Sequence, residues 1–562
     1  MRKSTLFATA LAVAGSLSGA LAGAAAAAPS PGAGGLLQEV RPAPAPPQAI
    51  PELRVEPGAA ASDAGPAGEK FLVRSLHVSG ARLYPESVLI AVAGFSPDRQ
   101  MDLRDLRLMA ARITRFYNRH GYFVAQAYVP AQALQDGGVT IAVIEGRYGK
   151  VALDNHTNLS NGLARSVMAG LDRGDAVAIG PLQRRLLLLS DIPGVRVHST
   201  LSPGAEVGSS DLTVGLTPGP RVSGSIDADN AGSPYSGEAR LGGALNINDP
   251  TGHGDLVTLR ALSSFDGLTY GSAAYQLRLQ DATVGVSYAL LDYKLHGTFA
   301  PLRASGTAKV ASVYASYPLV RSYDDNLYLH AAFEDRRFHD KEAAIGSVID
   351  RREDAVLIGL SGDHHDGFNG GGWNDFSLGY TFGDLDIQTP AARLIDQAGA
   401  HSNGGYGKFS YSASRLQTVA GPLQIYGLIR GQFASKNLDI SEKLELGGAY
   451  AVRAYPQGLI FGDDGYVATV EARLALPPTP RPLPGRLQAI AFFDAGSAIA
   501  NHSRWAVGPN HQSVKAAGVG LNWFLADDLI VRGTWAHTVG DARGVPGPYA
   551  SSRAWFQITK LF

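Results

Sequence analysis

The sequence predicts a membrane all-β protein: a 16-stranded antiparallel transmembrane β-barrel preceded by two small β-α-α-β-β units. Three observations carry the barrel. From Arg221 onward, stretches of about ten residues alternate in polarity and are parted by Gly, Asn, Asp and Pro, as expected where successive side chains point to opposite faces. Connections after even-numbered strands are mostly short and most of those after odd-numbered strands are longer. That is the pattern of periplasmic turns and external loops when both chain ends lie in the periplasm. No run of about 18 apolar residues follows the first thirty positions, so helical membrane spans are not expected.

At the N-terminus, Met1-Arg2-Lys3 supplies positive charge, Leu6 to Leu21 an apolar core, and Ala24 to Ala28 small residues for cleavage. Residues 1–28 therefore read as a secretory signal peptide in preference to a short membrane anchor. Residues 29–69 are rich in Pro, Ala and Gly, a composition with too little apolar surface to offset the entropy of ordering, so an extended linker is expected. Within it, "GGLLQEV" (34–40) either forms a short helix, a candidate plug, or is disordered. The chain has no cysteine, which removes disulfides, thiolate metal sites and cysteine-linked lipid from consideration. A net charge of -1 without a basic cluster argues against nucleic acid as a partner.

Two units of like pattern follow, 70–147 and 148–219. In the first, "FLVRSLHVSG" (71–80) alternates as a strand, and "PESVLIAVAGF" (85–95) reads as a helix with Pro85 near its first turn. "LRDLRLMAARITRFYNRHGY" (103–122) is an amphipathic helix ending at Gly121, with strands "FVAQAYVP" and "GVTIAVIEGR" after it. The second unit repeats that order from "GKVALD" through "GPLQRRLLLLSDI" to "SDLTVGLTPG". The barrel occupies 220–562. In "LQIYGLIRGQF" (423–433), Leu423, Ile425, Ile429 and Phe433 share one face, and Gln424, Arg430 and Gln432 the other. Such strands also suit a soluble sandwich or a propeller, but neither predicts alternating long and short connections. Phe556, Ile558 and Phe562 share the outer face of a closing strand; Lys560 interrupts it, as a snorkelling lysine can near the membrane boundary.

Several segments, in this order, resemble one family. "FLVRSLHVSG", the helix ending "FYNRHGY", and "AYVPAQALQDGGVTIAVIEGR" resemble a first POTRA domain. "DNAGSPYSGEARLGGALNINDPTGHGD" (229–255) resembles an opening barrel hairpin, and "YASYPLVRSYDDNLYLHAAFEDRRF" a later strand pair. The chain thus resembles the two-partner secretion transporters, the haemolysin activator and filamentous haemagglutinin transporter family, whose superfamily also holds the outer-membrane insertases. The resemblance extends over nearly all of the chain after residue 28.

"VRAYPQGLIFGDDG" (452–465), at the end of the long loop 434–464, looks like that superfamily's Val-Arg-Gly-Tyr loop motif. The resemblance implies that Arg453 folds back into the barrel and pairs with an aspartate on the inner wall. Asp494 in "AFFDAG" is the candidate, since Gln488, Ile490, Phe492 and Asp494 share one strand face. Arginine suits the task because its planar fork binds a carboxylate through two parallel hydrogen bonds. Val452, Tyr455, Gly462 and Asp463 complete the loop motif, with Ala454 standing where the family has glycine. Read without the resemblance, Arg453 is a solvated loop arginine and Asp494 a strand-end residue.

The resemblance implies an outer-membrane translocator that binds an unfolded exoprotein with its periplasmic domains and exports it through the barrel. The expected partners are a secreted exoprotein in extended form and outer-membrane lipid, with the barrel monomeric. An insertase shares the arginine motif, though a different number of periplasmic domains is expected there. A passive porin has no use for the two leading units. No cofactor, metal or catalytic residue is expected: no phosphate-binding loop, Gly-x-Ser-x-Gly elbow or His-Glu-x-x-His helix occurs, and His364-His365 reads as part of a solvated Gly-rich turn.

Overall fold

The computed structural model describes residues 31–40, 51–56, 69–133, 136–477, 484–525, 528–545 and 549–562. The expected signal peptide and most of the Pro-rich lead-in lie outside the described residues. Two short elements come first, helix α1 (Ala33–Gln38) and strand β1 (Glu52–Val55).

The first unit comprises β2 (Phe71–Val73), β3 (Ser75–Ser79), α2 (Glu86–Ala93), β4 (Arg99–Met101), α3 (Leu103–Arg119), β5 (Gln126–Tyr128) and β6 (Gly138–Ile144). The stretch read as one strand over 71–80 is broken. Arg74 N–H donates to Gly137 O at 2.7 Å, so β2 leaves to pair with β4 while β3 runs parallel to β6. Helix α3 opens on a reciprocal cap between Asp102 and Asp105. It buries Leu106, Met109, Ala110, Ile113 and Tyr117, the stripe that a 3.6-residue period predicts. Glu145, at the end of β6, knits the unit together by accepting from Arg82 N–H and Leu83 N–H, both at 2.6 Å, and from the Tyr117 hydroxyl at 3.1 Å. Burial, reinforced by the Glu145 carboxylate, pushes the Tyr117 phenol well above its usual range, which keeps it a donor.

The second unit comprises β7 (Arg147–Asn155), α4 (Asn161–Val167), α5 (Ile179–Ser190), β8 (Val195–Pro203) and β9 (Ser209–Pro218). Leu182, Leu186, Leu188 and Leu189 of α5 lie in its core. The intervening cations turn to the barrel instead: Arg185 meets Asp281 at 3.0 Å, and Arg184 meets the Pro318 carbonyl at 2.8 Å. Arg321 of the barrel forks onto Asp191 at 2.7 and 2.9 Å. The sheet order is β1-β8-β9-β7. Strand β1, read from the sequence as linker, adds in parallel to β8 with Glu52 opposite His198 and Val55 opposite Leu201. It covers the edge that β8 otherwise leaves open.

The barrel strands rise from the periplasm as β10 (Val222–Asp229), β11 (Arg240–Asn248), β12 (Leu256–Ser263), β13 (Leu268–Leu279) and β14 (Ala282–Lys294). The tall side of the wall is β15 (Ala304–Arg321), β16 (Asp325–Glu342), β17 (Ser347–Asp366), β18 (Gly372–Ile387) and, after helix α6 (Pro390–Ala398), β19 (Gly404–Ala420). Strand β20 (Leu423–Ala434) leads into the long loop, which contains the small ladder of β21 (Leu444–Glu445) and β22 (Phe461–Gly462). The wall finishes with β23 (Asp464–Ala475), β24 (Arg486–Ile499), β25 (His511–Leu525), β26 (Leu529–Thr538) and β27 (Ser552–Leu561). Sixteen of these strands form a closed barrel, and β27 pairs with β10 to seal it.

The alternation read from the sequence sorts the two faces. Ile429 and Phe433 are 43% and 57% exposed on the outside, while Arg430 reaches the Tyr450 carbonyl and Gln432 is buried inside. Lys560 meets Asp528 at the adjoining turn, so its charge sits at the boundary rather than among lipid tails. The segment "HDKEAAIGSVID", read as a loop, is instead mostly strand: β16 runs to Glu342 and β17 starts at Ser347. His364 and His365 likewise belong to β17 rather than to a turn; His364 pairs with Asp325 at 2.6 Å and His365 packs edge-on against Trp373.

Candidate functional site in the barrel lumen

The loop between β20 and β23 folds back into the barrel, because it carries the apolar residues that a solvated loop lacks. Leu446, Val452, Ala454, Tyr455 and Ile460 are all buried and pack on Val467, Phe492, Val514 and Ala516 of the inner wall. Tyr455 also meets Tyr549, ring centroids 5.2 Å apart. Ala454 is fully buried and has no positive φ, so the backbone at that point does not require glycine.

Arg453 lies 8% exposed at the tip of this fold, against a fully buried Asp494 on β24. Its Nε and Nη2 donate to Asp494 Oδ2 and Oδ1 at 2.8 and 2.7 Å, and its backbone N–H reaches Oδ2 at 3.2 Å. Thr469 Oγ1 donates to Asp494 Oδ1 at 2.9 Å, fixing the carboxylate in turn. The remaining terminal nitrogen, Nη1, donates to Glu471 Oε1 at 2.8 Å. The guanidinium carbon stands 3.4 Å from the centre of the Phe492 ring, and Trp555 Nε1 donates to the Arg453 carbonyl at 2.7 Å. Arg453 is thus held by two carboxylates and an aromatic face. The sequence reading did not single out Glu471, although Thr469, Glu471 and Arg473 alternate with Ala468, Val470 and Ala472 and so mark a polar inner face. A cavity of about 480 Å³ remains beside this ion pair, lined among others by Asp229, Tyr426, Glu471, Arg532 and Trp555.

The other motif residues serve the base of the loop. Asp463 is fully buried. Its carboxylate accepts from Leu438 N–H at 3.1 Å and His502 N–H at 2.8 Å, and pairs with Lys443 at 2.7 Å. Gly462 lies so close to β24 that an added Cβ would stand 2.5 Å from the Ala498 side chain. Val452 N–H closes a turn onto the Leu446 carbonyl at 2.9 Å.

A second set of ionic contacts holds the descending limb of the loop. Glu442 meets Arg336 and Lys408 of the wall, and Asp439 meets Arg351. Ser441 donates to Glu353 Oε2 at 3.0 Å. These partners come from β16, β17 and β19, on a different side of the lumen from Asp494. They escaped the sequence reading because nothing in local spacing links residues 336–353 to 439–442.

Helix α1 lies against this second anchor. Ala33 N–H donates to Asp340 Oδ1 at 2.8 Å, and Gln38 Nε2 donates to the Ile440 carbonyl at 2.9 Å. Leu36 is buried among Leu262, Leu291 and Phe338, and Arg240 joins the Glu39 carbonyl to Asp229. Gly34 permits the close approach, since a Cβ there would stand 2.7 Å from that of Ser441. Gly34→Val is therefore expected to expel α1 and raise the conductance of the barrel in planar lipid bilayers. Conductance equal to that of the unaltered chain would show that α1 does not obstruct the lumen.

Among the described residues, no group of three or more His, Cys, Asp or Glu is arranged to hold a metal ion.

Comparison with known proteins places this architecture. Residues 208–523 match the model described as haemolysin secretion/activation protein ShlB/FhaC/HecB, and residues 71–146 the ShlB-type POTRA domain. The heme/hemopexin transporter protein HuxB of Haemophilus influenzae is 27% identical over 472 residues, 83% of this chain and 82% of that protein. The outer membrane transporter CdiB of Escherichia coli is 25% identical over 457 residues, 77% of this chain and 74% of that protein. Among solved structures, CdiB from Escherichia coli superposes with a TM-score of 0.71 at 21% identity, covering 90% of this chain and 93% of that one. BamA from Haemophilus ducreyi lacking POTRA domains 1-3 gives 0.51 at 12% identity, covering 88% of this chain and 100% of that one, a likeness of fold alone. With more than half its length matched by one family model, the chain belongs to the haemolysin secretion/activation family ShlB/FhaC/HecB.

Proposed function

We infer that this chain is the outer-membrane translocator of a two-partner system and exports a secreted exoprotein through its barrel, with its POTRA domains in the periplasm. The observation that carries this reading is a closed barrel with its own loop and helix α1 folded against its inner wall, through ionic and apolar contacts that can be undone. Such an arrangement suits a conduit that opens for cargo and is otherwise shut. The family is one of secretion proteins rather than enzymes, and the likeness to BamA does not extend beyond fold. An insertase is accordingly the less favoured reading.

The finer parts of the reading are our proposal. The chain divides into a lead-in over 29–69, periplasmic domains over 70–147 and 148–219, and a monomeric, lipid-embedded barrel over 220–562. The exoprotein arrives extended, because backbone hydrogen bonding to a strand edge tolerates varied side chains. The edge in question is β8, so an incoming strand would have to displace β1. Arg453 and Asp494 lock the loop, with Val452, Tyr455, Gly462 and Asp463 shaping it. The test is co-expression with the candidate exoprotein encoded in the neighbouring reading frame. Appearance of that protein in the medium only when this chain is present supports the reading; its appearance without the chain, or its retention in the periplasm beside a correctly inserted barrel, refutes it.

A further inference from the structure

Helix α1 ends in a carboxyl group that the lumen buries. Glu39, the residue that closes the helix, is 4% exposed, and its Oε2 has no hydrogen-bond partner among the described residues. A carboxylate that keeps its charge in such a place loses hydration and is poorly compensated for it. The nearby cation is engaged elsewhere. Arg240 of β11 directs Nε and Nη2 to Asp229 at 2.8 and 3.2 Å, and Nη1 to the Glu39 backbone carbonyl at 3.2 Å.

A second carboxyl group comes from the loop. Glu445 of β21 accepts from Gln457 Nε2 at 2.5 Å and from Gly458 N–H, while a Cβ on Gly458 would stand 3.2 Å from Glu39 Oε1. The two carboxyl groups therefore converge on one glycine, one carried by the helix and the other by the loop it rests on. Like charges held so close oppose each other's ionisation. Burial, and after it the Glu445 carboxylate, push the Glu39 carboxyl well above its ordinary range, against the pull of Arg240 and of a hydrogen bond from the Ser233 backbone.

The other charged groups around α1 are taken up among themselves. Across the cavity of about 390 Å³ between helix, loop and wall, Arg336 meets Glu334, Glu353 and Glu442, Lys408 meets Glu442, and Lys443 meets Asp463. Arg430 of β20, which faces Glu445, donates to the Tyr450 carbonyl at 3.3 Å. The Tyr450 phenol lies near Arg240 and stays neutral well above physiological pH. At the start of the helix Asp340 accepts from Ala33 N–H and meets Arg351. Despite burial, Lys408 and Arg336 hold the Glu442 carboxyl down to about 2, so this loop anchor keeps its charge near neutrality. Within α1 and its two flanking residues, Gly32 to Glu39, Glu39 is the one titratable side chain.

We propose that the seating of α1 is linked to a proton on Glu39. Protonated, the helix rests against loop and wall; when the proton passes to lumen water, the Glu39 carboxylate opposes that of Glu445 and the helix is released. The sign follows from linkage. A carboxyl group whose value is raised in the seated state favours seating in acid, and that contribution fades as pH rises from the ordinary range of glutamate through the raised value. Acid therefore holds the helix in place, and loss of acidity loosens it.

The test uses the full chain reconstituted in lipid, with a nitroxide on Leu37→Cys as reporter of α1; the chain has no cysteine of its own, so the label is unique. Between about pH 5 and about pH 8 the ratio of mobile to immobile label should rise by about tenfold or more. Glu39→Gln, which is uncharged throughout, should keep the label immobile at both, and Glu445→Gln should shift the midpoint of release to higher pH because ionised Glu39 then meets no like charge. A ratio that does not change with pH, a fall in place of a rise, or Glu39→Gln responding as the unaltered chain does would overturn the proposal. The inference rests on the reading of this chain as a conduit that opens for cargo, but the label reports the helix alone. Failure of secretion would therefore count against that reading, and a helix indifferent to pH against this one.

Discussion

Arg453→Ala inserts into the outer membrane as a closed barrel and fails to secrete the exoprotein. The barrel is expected to survive because its hydrogen-bond ladder, closed between β27 and β10, does not involve the loop. The loop is another matter. Without the guanidinium, Asp494 and Glu471, on the adjoining strands β24 and β23, lose the cation they share, and Arg473 already pairs with Glu471. Removing one partner of a buried ion pair costs roughly 3–5 kcal/mol, enough to shift the loop between seated and unseated states by a hundredfold or more, since about 1.4 kcal/mol is a factor of ten. Secretion should fall by more than about tenfold, measured as exoprotein in the medium per inserted barrel. Arg453→Lys retains charge but not the fork onto both Asp494 oxygens, so it should restore only part of the activity. Asp494→Asn should resemble Arg453→Ala. Full secretion by Arg453→Ala would show that the seated loop is not needed for transport.

The double substitution Asp439→Ala, Glu442→Ala is expected to produce a marked rise in open-channel current in planar bilayers. These two residues fasten the descending limb to Arg351, Arg336 and Lys408, and α1 rests on the turn they flank through Gln38. Freeing that turn takes away the platform of the helix as well as the grip of the loop, so the lumen should lose both obstructions together. The wall cations left behind are not stranded, since water enters as the loop leaves and solvates them. An increase of about tenfold in open probability corresponds to about 1.4 kcal/mol, a modest share of what two buried anchors can contribute. Unchanged current in the double variant, with Gly34→Val conductive, would mean that α1 alone is the obstruction.

The barrel was legible because period-two alternation persists wherever one face meets lipid and the other water. Where both faces meet water, that contrast disappears. His339, Asp340, Lys341 and Glu342 look like loop because both of their faces are polar, Asp340 accepting from Ala33 N–H and the Tyr293 hydroxyl on the inside, yet they continue β16 above the membrane. Strand β1 was illegible for another reason: its four residues, Glu-Leu-Arg-Val, lie in a Pro-rich stretch, and what makes them a strand is the free edge of β8, nearly 150 positions away. The candidate site divides the same way. Arg453 and Asp494 could be paired only through resemblance, since 41 residues separate them. Glu471 had a local signal in its polar strand face, whereas the 439–442 anchor had none, because long-range charge pairing leaves no periodicity to read.

The wall of this barrel is uneven. Strands β10 and β12 have 8 residues each and β17 has 20. Tilted as such strands are, eight residues reach only about 20 Å along the membrane normal, short of the roughly 25 Å apolar band usual for this class. A bilayer meeting that low side must pinch inward to keep its tails off polar ground, while around β17 it can stand at full thickness. The protein therefore sits in a membrane that it warps on one flank, and lipid packing is poorest where the first and last strands meet.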